Sequence, residues 1–486
     1  MAITKNKVYD SLLRFNYFPE QKRDKEELPP CFNSKSFSTT VSDLLCREKL
    51  RTGKTTGYDQ VEYRVTRYNN VSRPISIPHP KPYAHLVREI SNNWDKLKHI
   101  CNNSNSMVTP KMHSDGRIII MDYDKKNILK DMSKAFGNTF RVRTDIANFF
   151  PSIYTHSIPW ALVGFSKAKK NRNSKFWYNR LDAFQRLTKR NETQGIPIGP
   201  ATSNIISELI LSKVDSELAK DFNFHRYVDD YTCYCNCYED ADKFIRHLSQ
   251  ELWRYKLLLN ISKTTIESLP ITHMQDWILD LYTRLPAVNK IKETLAIRFI
   301  DYAVSIQNKT PDGSVLKFAV KSIIGNLHAT AQKPVLEYIL TLSLHYPILL
   351  PLLNRLFDKA AKKGSNFAYK NELKKILDIN TINHRSDGMC WALYYMQKFG
   401  VAVNKTRAIK VIKTRDCLAI TLIYDTGKYD LEALNFIKSI NLTDLYEIDQ
   451  YWILFYQLFY NNKIKNPYSK DKTFDTLKTG GVSFLF

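Results

Sequence analysis

No stretch of this sequence stays apolar for long. The most hydrophobic one, Tyr338 to Leu353, is interrupted by His345, Pro347 and Pro351 and is shorter than the roughly 20 apolar residues that a membrane helix needs. A leader pattern is missing too, because Lys5, Lys7, Asp10 and Arg14 break up Met1 to Phe18. Cysteines are sparse, 8 in 486 residues, and scattered without a pairing framework, so the expected compartment is a reducing cytoplasm. The densest group, Cys233, Cys235 and Cys237, is spaced Cys-x-Cys-x-Cys in an expected strand. It lacks the paired cysteines and histidine partners of structural zinc, which leaves core packing as its reading.

Acid is scarce relative to base. Lys and Arg number 72 against 48 Asp and Glu, a formal net charge of +24, and both residues 1–269 and residues 270–486 share the excess. Such a balance points to an anionic partner. The hydrophobic fraction, 43%, supplies enough core for two or three domains.

Against that background one acidic pair stands out. Arg226-Tyr227-Val228-Asp229-Asp230-Tyr231 sets adjacent carboxylates among aromatic and β-branched strand formers and suits a tight hairpin spanning Tyr227 to Cys237. The two carboxylates repel each other, and divalent cations that take hard oxygen ligands offset that cost. Alone, an Asp-Asp pair reads as a solvated turn. A third carboxylate upstream changes the reading, in Arg143-Thr144-Asp145-Ile146-Ala147-Asn148-Phe149-Phe150-Pro151, where a strand, Phe140 to Ile146, runs into a helix. Between the two lies Gln194-Gly195-Ile196-Pro197-Ile198-Gly199-Pro200, a turn that opens a helix over Ala201 to Leu218. Nucleotidyl transfer is an in-line displacement in which two metal ions about 4 Å apart stabilise the attacking and leaving oxygens. Asp145, Asp229 and Asp230 are the candidate catalytic groups, and Asp145, Ile146, Asp229 and Asp230 the candidate metal-binding set. The expected ion is Mg²⁺, with Mn²⁺ as the alternative, because Mg²⁺ binds through one or two carboxylates plus substrate phosphates.

In this order the elements resemble the palm of a reverse transcriptase over about residues 140 to 265. Asp145 with an aromatic residue five positions on resembles the first catalytic motif of that family, the Gln194 to Pro200 turn its template- and nucleotide-positioning motif, and Tyr227 to Asp230 its metal-binding hairpin. Leu259-Asn260-Ile261-Ser262-Lys263-Thr264 looks like the lysine-bearing motif that follows. The resemblance implies an RNA-directed DNA polymerase that uses deoxynucleoside triphosphates, with Phe150, Gln194, Gly195 and Lys263 at the nucleotide. Phe150 takes the place where a ring would clash with a 2′-hydroxyl. The fingers of such enzymes supply cations to the triphosphate, and Arg117 in Gly116-Arg117-Ile118-Ile119-Ile120 is the candidate, with Arg141 and Arg143 behind it. Candidate nucleic-acid contacts are Arg73, on the extended proline-rich segment Arg73 to Pro80, and Lys169, Lys170 and Arg172 in the basic cluster Lys167 to Lys175.

Residues 1–72 read as an arm and the start of the fingers, 73–269 as fingers and palm, and 270–486 as an all-α helical-repeat region in place of an ordinary thumb, so the fold class is α+β. Helical periods recur in the last region over Ile291 to Ile306, Leu316 to Leu327, Val335 to Leu344, Leu349 to Ala361, Asn371 to Leu377, Asp387 to Phe399, Leu431 to Ile440 and Tyr446 to Tyr460. Short breaks carry Gly313, Pro334, Pro347, Gly364 and Gly400, without a strict repeat length. The aromatic segments Phe15 to Pro19 and Leu28 to Ser38, the helical region, and the lack of an evident ribonuclease H site resemble bacterial abortive-infection and related defence-associated reverse transcriptases. That resemblance implies a role in antiviral, anti-phage defence, an RNA partner, in some relatives a dedicated noncoding RNA, a DNA product and a homo-oligomer. The alternatives are a retron or group II intron reverse transcriptase, which the long helical tail disfavours, and a noncatalytic RNA-binding scaffold, which the three carboxylates disfavour. The apolar tail Gly480 to Phe486 is expected to dock on a neighbouring subunit, and the resemblance implies that a hydroxyl in or near the helical region 270–486 serves as primer, as in some relatives.

Overall fold

The computed structural model describes residues 3–19, 27–52, 56–67, 71–120, 126–310, 315–360, 368–468 and 471–486. Its centre is a four-stranded antiparallel sheet of β5 (Phe140–Asp145), β6 (Phe224–Tyr227), β7 (Asp230–Cys235) and β8 (Thr265–Ser268), in the order β6-β7-β5-β8. Two small sheets precede it in the chain: β1 (Gln60–Thr66) paired with β2 (Ser72–Pro78), and the two-residue strands β3 (Lys111–Met112) and β4 (Ile118–Ile119). On β7, Cys233 and Cys235 are buried and Cys237 lies beyond the strand end, consistent with packing rather than metal binding.

Helices cover the sheet. The Tyr238–Arg254 helix packs on β5 and β7, and the Ala201–Leu218 helix lies between it and the Ser157–Val163 helix. Ala201–Leu218 is buried almost all round, as expected of a helix at the centre of a core.

After β8 the described chain is helical, with helices at Asp276–Arg284, Glu293–Lys309, Val315–Ile324, Ala329–Ser343, Leu353–Ala360, Lys370–Ile382, Ser386–Lys398, Lys405–Lys413, Cys417–Asp425, Asp430–Lys438, Leu445–Gln450, Trp452–Tyr460 and Thr473–Thr479. Four of these, Asp276–Arg284, Lys405–Lys413, Cys417–Asp425 and Thr473–Thr479, carry no expected period. Cys417–Asp425 is buried along nearly its whole length, so it shows no polar face from which a period could be read. Pro334, expected as a break, lies inside Ala329–Ser343. The expected breaks at Gly313 and Gly364 lie outside the described residues.

The helical array curls back onto β1 and β2. Asp387 accepts from the Thr66 amide (2.7 Å) and hydroxyl (2.9 Å), and Trp452 donates its indole N–H to the Ile77 carbonyl (3.2 Å). Asp449, fully buried, pairs with Arg51 (2.6 Å) and accepts from the Asp59 amide (3.0 Å) and the Tyr468 hydroxyl (2.7 Å). A buried carboxylate satisfied by so many donors fixes geometry as much as it adds stability.

The tail corrects its expectation. Instead of waiting for another subunit, Phe484 is 1% exposed and packs its ring on Tyr17, Phe18, Phe37, Trp452 and Tyr456 of the same chain, while Leu485 bridges to Phe32. Apolar burial of this kind is satisfied within the fold for Val482, Phe484 and Leu485, while Phe486 is left exposed. Tyrosines of the helical region are packing residues as well. Tyr424, Tyr429, Tyr451, Tyr456 and Tyr468 are buried, and the hydroxyls of Tyr429 and Tyr456 donate to the Val403 and Val482 carbonyls. Phe484→Ala is expected to cost about 3–5 kcal/mol, the usual range for a buried ring replaced by alanine. Urea denaturation followed by tryptophan fluorescence measures it, and an unshifted midpoint would contradict the packing.

Candidate active site

The site is built at the ends of three strands. Asp145 closes β5, where it faces Asp230 across the β5–β7 ladder, and Tyr227 faces Asp230 across β6–β7. Val228 and Asp229 are therefore the whole loop of a two-residue hairpin. Such loops need positive φ at their first position, normally supplied by glycine or asparagine. Here Val228 takes φ 58°, a strained value for a β-branched residue.

An arginine that the motif reading passed over holds that strain. Arg226 is fully buried and donates to Glu208 (2.8 and 3.0 Å), to Asp215 (2.7 Å at the closest) and to the Val228 carbonyl (2.7 Å). Tyr231 adds a hydroxyl bond to Asp215 (3.0 Å). The signal was available, since Glu208 and Asp215 lie seven apart on one helix and share a face. Only the fold shows that this face meets Arg226.

Burial raises Asp229 to about 7, with the Asp230 and Asp145 charges adding. Removal from bulk water and the Asp145 charge raise Asp230 to about 6, against the opposing pull of Lys263 and Arg143. Lys263 donates to Asp145 at 2.7 Å, and this bond raises its own pKa. Asp145 is also fixed through its backbone, its carbonyl accepting from the Asn260 amide at 2.7 Å. Asp145, Asp230 and Lys263 open into a cavity of about 640 Å³ that Arg143, His273 and Tyr282 help to line.

Among the described residues no three acid, imidazole or thiol groups form a ready-made metal cage. Mg²⁺ does not require one, because it keeps waters and substrate phosphates among its ligands. Three neighbouring carboxylates, of which Asp229 and Asp230 have their ionisation opposed, fit a divalent cation chemically. Ile146 has its side chain in the core, so only its backbone carbonyl is of the right chemistry for a ligand.

The nucleotide-side residues are zipped together. Gln194 donates its amide to the Ser152 carbonyl (2.9 Å) and the Pro151 carbonyl (3.3 Å). The Gly195 amide donates to Ile153 (2.8 Å) and the Ile196 amide to Phe150 (3.1 Å). Gly195 has φ +80°, and a Cβ there would lie 3.0 Å from the Pro151 carbonyl oxygen, so both conformation and space require glycine. Phe150 is 5% exposed and packs against Phe149 at 5.1 Å.

Arg73 projects from β2, near enough for its charge to be felt by Asp229. Arg117 is a correction. It is 1% exposed and bonded to Asp115 at 2.8–2.9 Å, and its neighbour Gly116 lies against the Phe15 ring. A buried guanidinium already neutralised by a carboxylate is not poised for a triphosphate. Lys169, Lys170 and Arg172 are exposed and lie outside the lining of the cavity.

Residues 69–301 match the family model for reverse transcriptase, the RNA-dependent DNA polymerase. The chain carries a reverse-transcriptase domain. That domain takes in the four-stranded sheet together with Asp145, Asp229 and Asp230, with a helical region behind it. No curated protein matches the chain. Solved structures similar to it include apo telomerase from Candida tropicalis (11% identity, TM-score 0.33, covering 80% of this chain and 69% of that one). Telomerase from Candida albicans in complex with a fragment of telomeric RNA is another (12%, 0.32, 83% and 68%). Against a Candida tropicalis telomerase truncated at its C-terminal domain the figures are 14% and 0.32, and the match spans 49% of this chain and 55% of that one.

Proposed function

We propose that the chain polymerises deoxynucleoside triphosphates into DNA, RNA-templated or untemplated, by two-metal nucleotidyl transfer at this cleft, and that it does so in antiviral, anti-phage defence. The observation that carries the polymerase reading is the meeting of Asp145 and Asp230 across the β5–β7 ladder, where both line one cavity of nucleotide-accommodating size and Asp229 stands next to them in the hairpin loop. In it Asp145, Asp229, Asp230 and the Ile146 carbonyl are the groups to hold Mg²⁺. The chemistry supplied by the bound ions is stabilisation of the attacking and leaving oxygens of the displacement. Lys263 holds Asp145 in place, Arg73 brings a cation toward the phosphates from the fingers, and the Gln194–Gly195 turn fixes the floor on which the nucleotide rests. Residues 1–72, 73–269 and 270–486 are the arm, the fingers and palm, and the thumb replacement. The defence role, an RNA partner and a homo-oligomer are supported by the resemblance of the aromatic arm and the helical region to abortive-infection reverse transcriptases.

The test is incorporation of labelled deoxynucleotide by the purified chain, with and without co-purifying RNA, in Mg²⁺ and again after EDTA. Incorporation that chelation abolishes supports the reading, and its absence under every condition refutes it. In the same assay Phe150→Ala is expected to raise ribonucleotide use relative to deoxyribonucleotide by about 10-fold or more, the scale on which a pocket discriminates one small group. An unchanged ratio moves sugar selection to Phe149 or elsewhere. Plaque counts on bacteria expressing the chain or its Asp229→Ala, Asp230→Ala variant test the defence role, and equal counts would end it.

A further inference from the structure

Between Asp145 and Asp182 the chain contains no acidic residue, yet it contains Lys167, Lys169, Lys170, Arg172 and Lys175. Among the described residues none of these five cations has an acidic partner, although Arg180 close by is paired with Glu89 at 2.9 Å. The same surface exposes two aromatic rings, Phe165 and Phe176, the first of them continuous with the buried Trp160. Tyr154, which bridges to Gln194, lies 5.6 Å from Trp160, and Trp160 lies 5.1 Å from Phe165. Phe165 is 56% exposed, and the Lys169 ammonium sits over both it (5.3 Å) and Trp160 (5.4 Å). Across the basic loop Phe176 is 40% exposed and stacks on Tyr178 at 5.5 Å. Solvent-facing rings set among unpaired cations cost solubility and gain nothing from the core, but they fit a strand whose bases and phosphates are both accessible.

We infer that this surface is a track for single-stranded nucleic acid, the template strand approaching the Gln194 turn, with bases stacked on Phe165 and Phe176 and phosphates held by Lys167, Lys170, Arg172 and Lys175. A duplex keeps its bases paired and cannot offer their faces to these rings, whereas stacking on aromatics tolerates any base sequence. The direction of the track rests on the polymerase reading, because Tyr154 joins the ring series to the turn beside the cleft.

Fluorescence anisotropy with labelled single-stranded RNA and DNA of about 20 nucleotides, and with a blunt duplex of the same length, tests the track on the full chain. Phe165→Ala with Phe176→Ala is expected to raise the single-strand Kd about tenfold or more and to leave the duplex Kd unchanged. Lys170→Gln, Arg172→Gln and Lys175→Gln together should flatten the dependence of log Kd on log salt by about 2. All five side chains are exposed, and unchanged melting curves confirm folded variants. Parental Kd and slope in both variants, or equal losses on duplex, would overturn the track. A chain that binds single strands in this way but incorporates nothing keeps the track and loses the polymerase reading. A chain that polymerises while both variants bind normally does the reverse.

Discussion

The Asp229→Ala, Asp230→Ala variant loses deoxynucleotide incorporation by about three orders of magnitude or more, the scale of losing charge stabilisation in phosphoryl-type transfer. In metal-free buffer its melting temperature stays at or above that of the parent. Both halves of this result follow from the same carboxylates. Burial and neighbouring carboxylates oppose the ionisation of Asp229 and Asp230, so without cations the parent carries that cost in folding. Removing Asp229 and Asp230 leaves the Asp145 carboxylate with its bond to Lys263. Loss of activity with a lowered melting temperature would indicate a damaged hairpin, and retained activity would rule out the site.

Arg226→Met destabilises the chain by about 3–5 kcal/mol, because removing one partner of a buried ion pair leaves the other charge without compensation. Here two carboxylates, Glu208 and Asp215, are stranded together. The same change removes the bond to the Val228 carbonyl, the brace on a turn whose φ of 58° is costly for valine. Incorporation is therefore expected to fall well below the melting temperature, through kcat more than KM, while the chain is still folded. Arg226→Lys keeps the charge but loses the forked geometry, and it should recover stability further than activity. Thermal denaturation and steady-state kinetics on both variants check this. A Met variant that melts lower but turns over normally when folded would reduce Arg226 to a core stabiliser.

Legibility varied with the range of the interactions. The strand ending at Asp145, the Val228 hairpin and the Ala201–Leu218 helix could be read because each depends on neighbours in the sequence: alternation, turn residues and a proline before the first helical turn. In the helical region the half-buried Glu293–Lys309 announced itself by period, and the almost wholly buried Cys417–Asp425 did not. β1 was missed for a related reason. Its end is held by Asp387 at Thr66, and the flanking Asp59 and Ile77 are held by Asp449 and Trp452, all residues far along the chain.

By itself the sequence determined the chemistry on offer: three carboxylates, a lysine motif after them and a glycine turn between, at separations that short-range backbone geometry converts into strand ends and loops. Tertiary structure alone decided which charges are spent and which are free. It buried Arg117 against Asp115 and Arg226 against Glu208 and Asp215, and left Arg73 beside the cleft and Lys170 in solvent. It also turned the apolar tail inward onto Tyr17 and Trp452 of the same chain. The physical reason is that a side chain's charge and polarity are local properties, whereas its burial and partner depend on which distant segment packs against it.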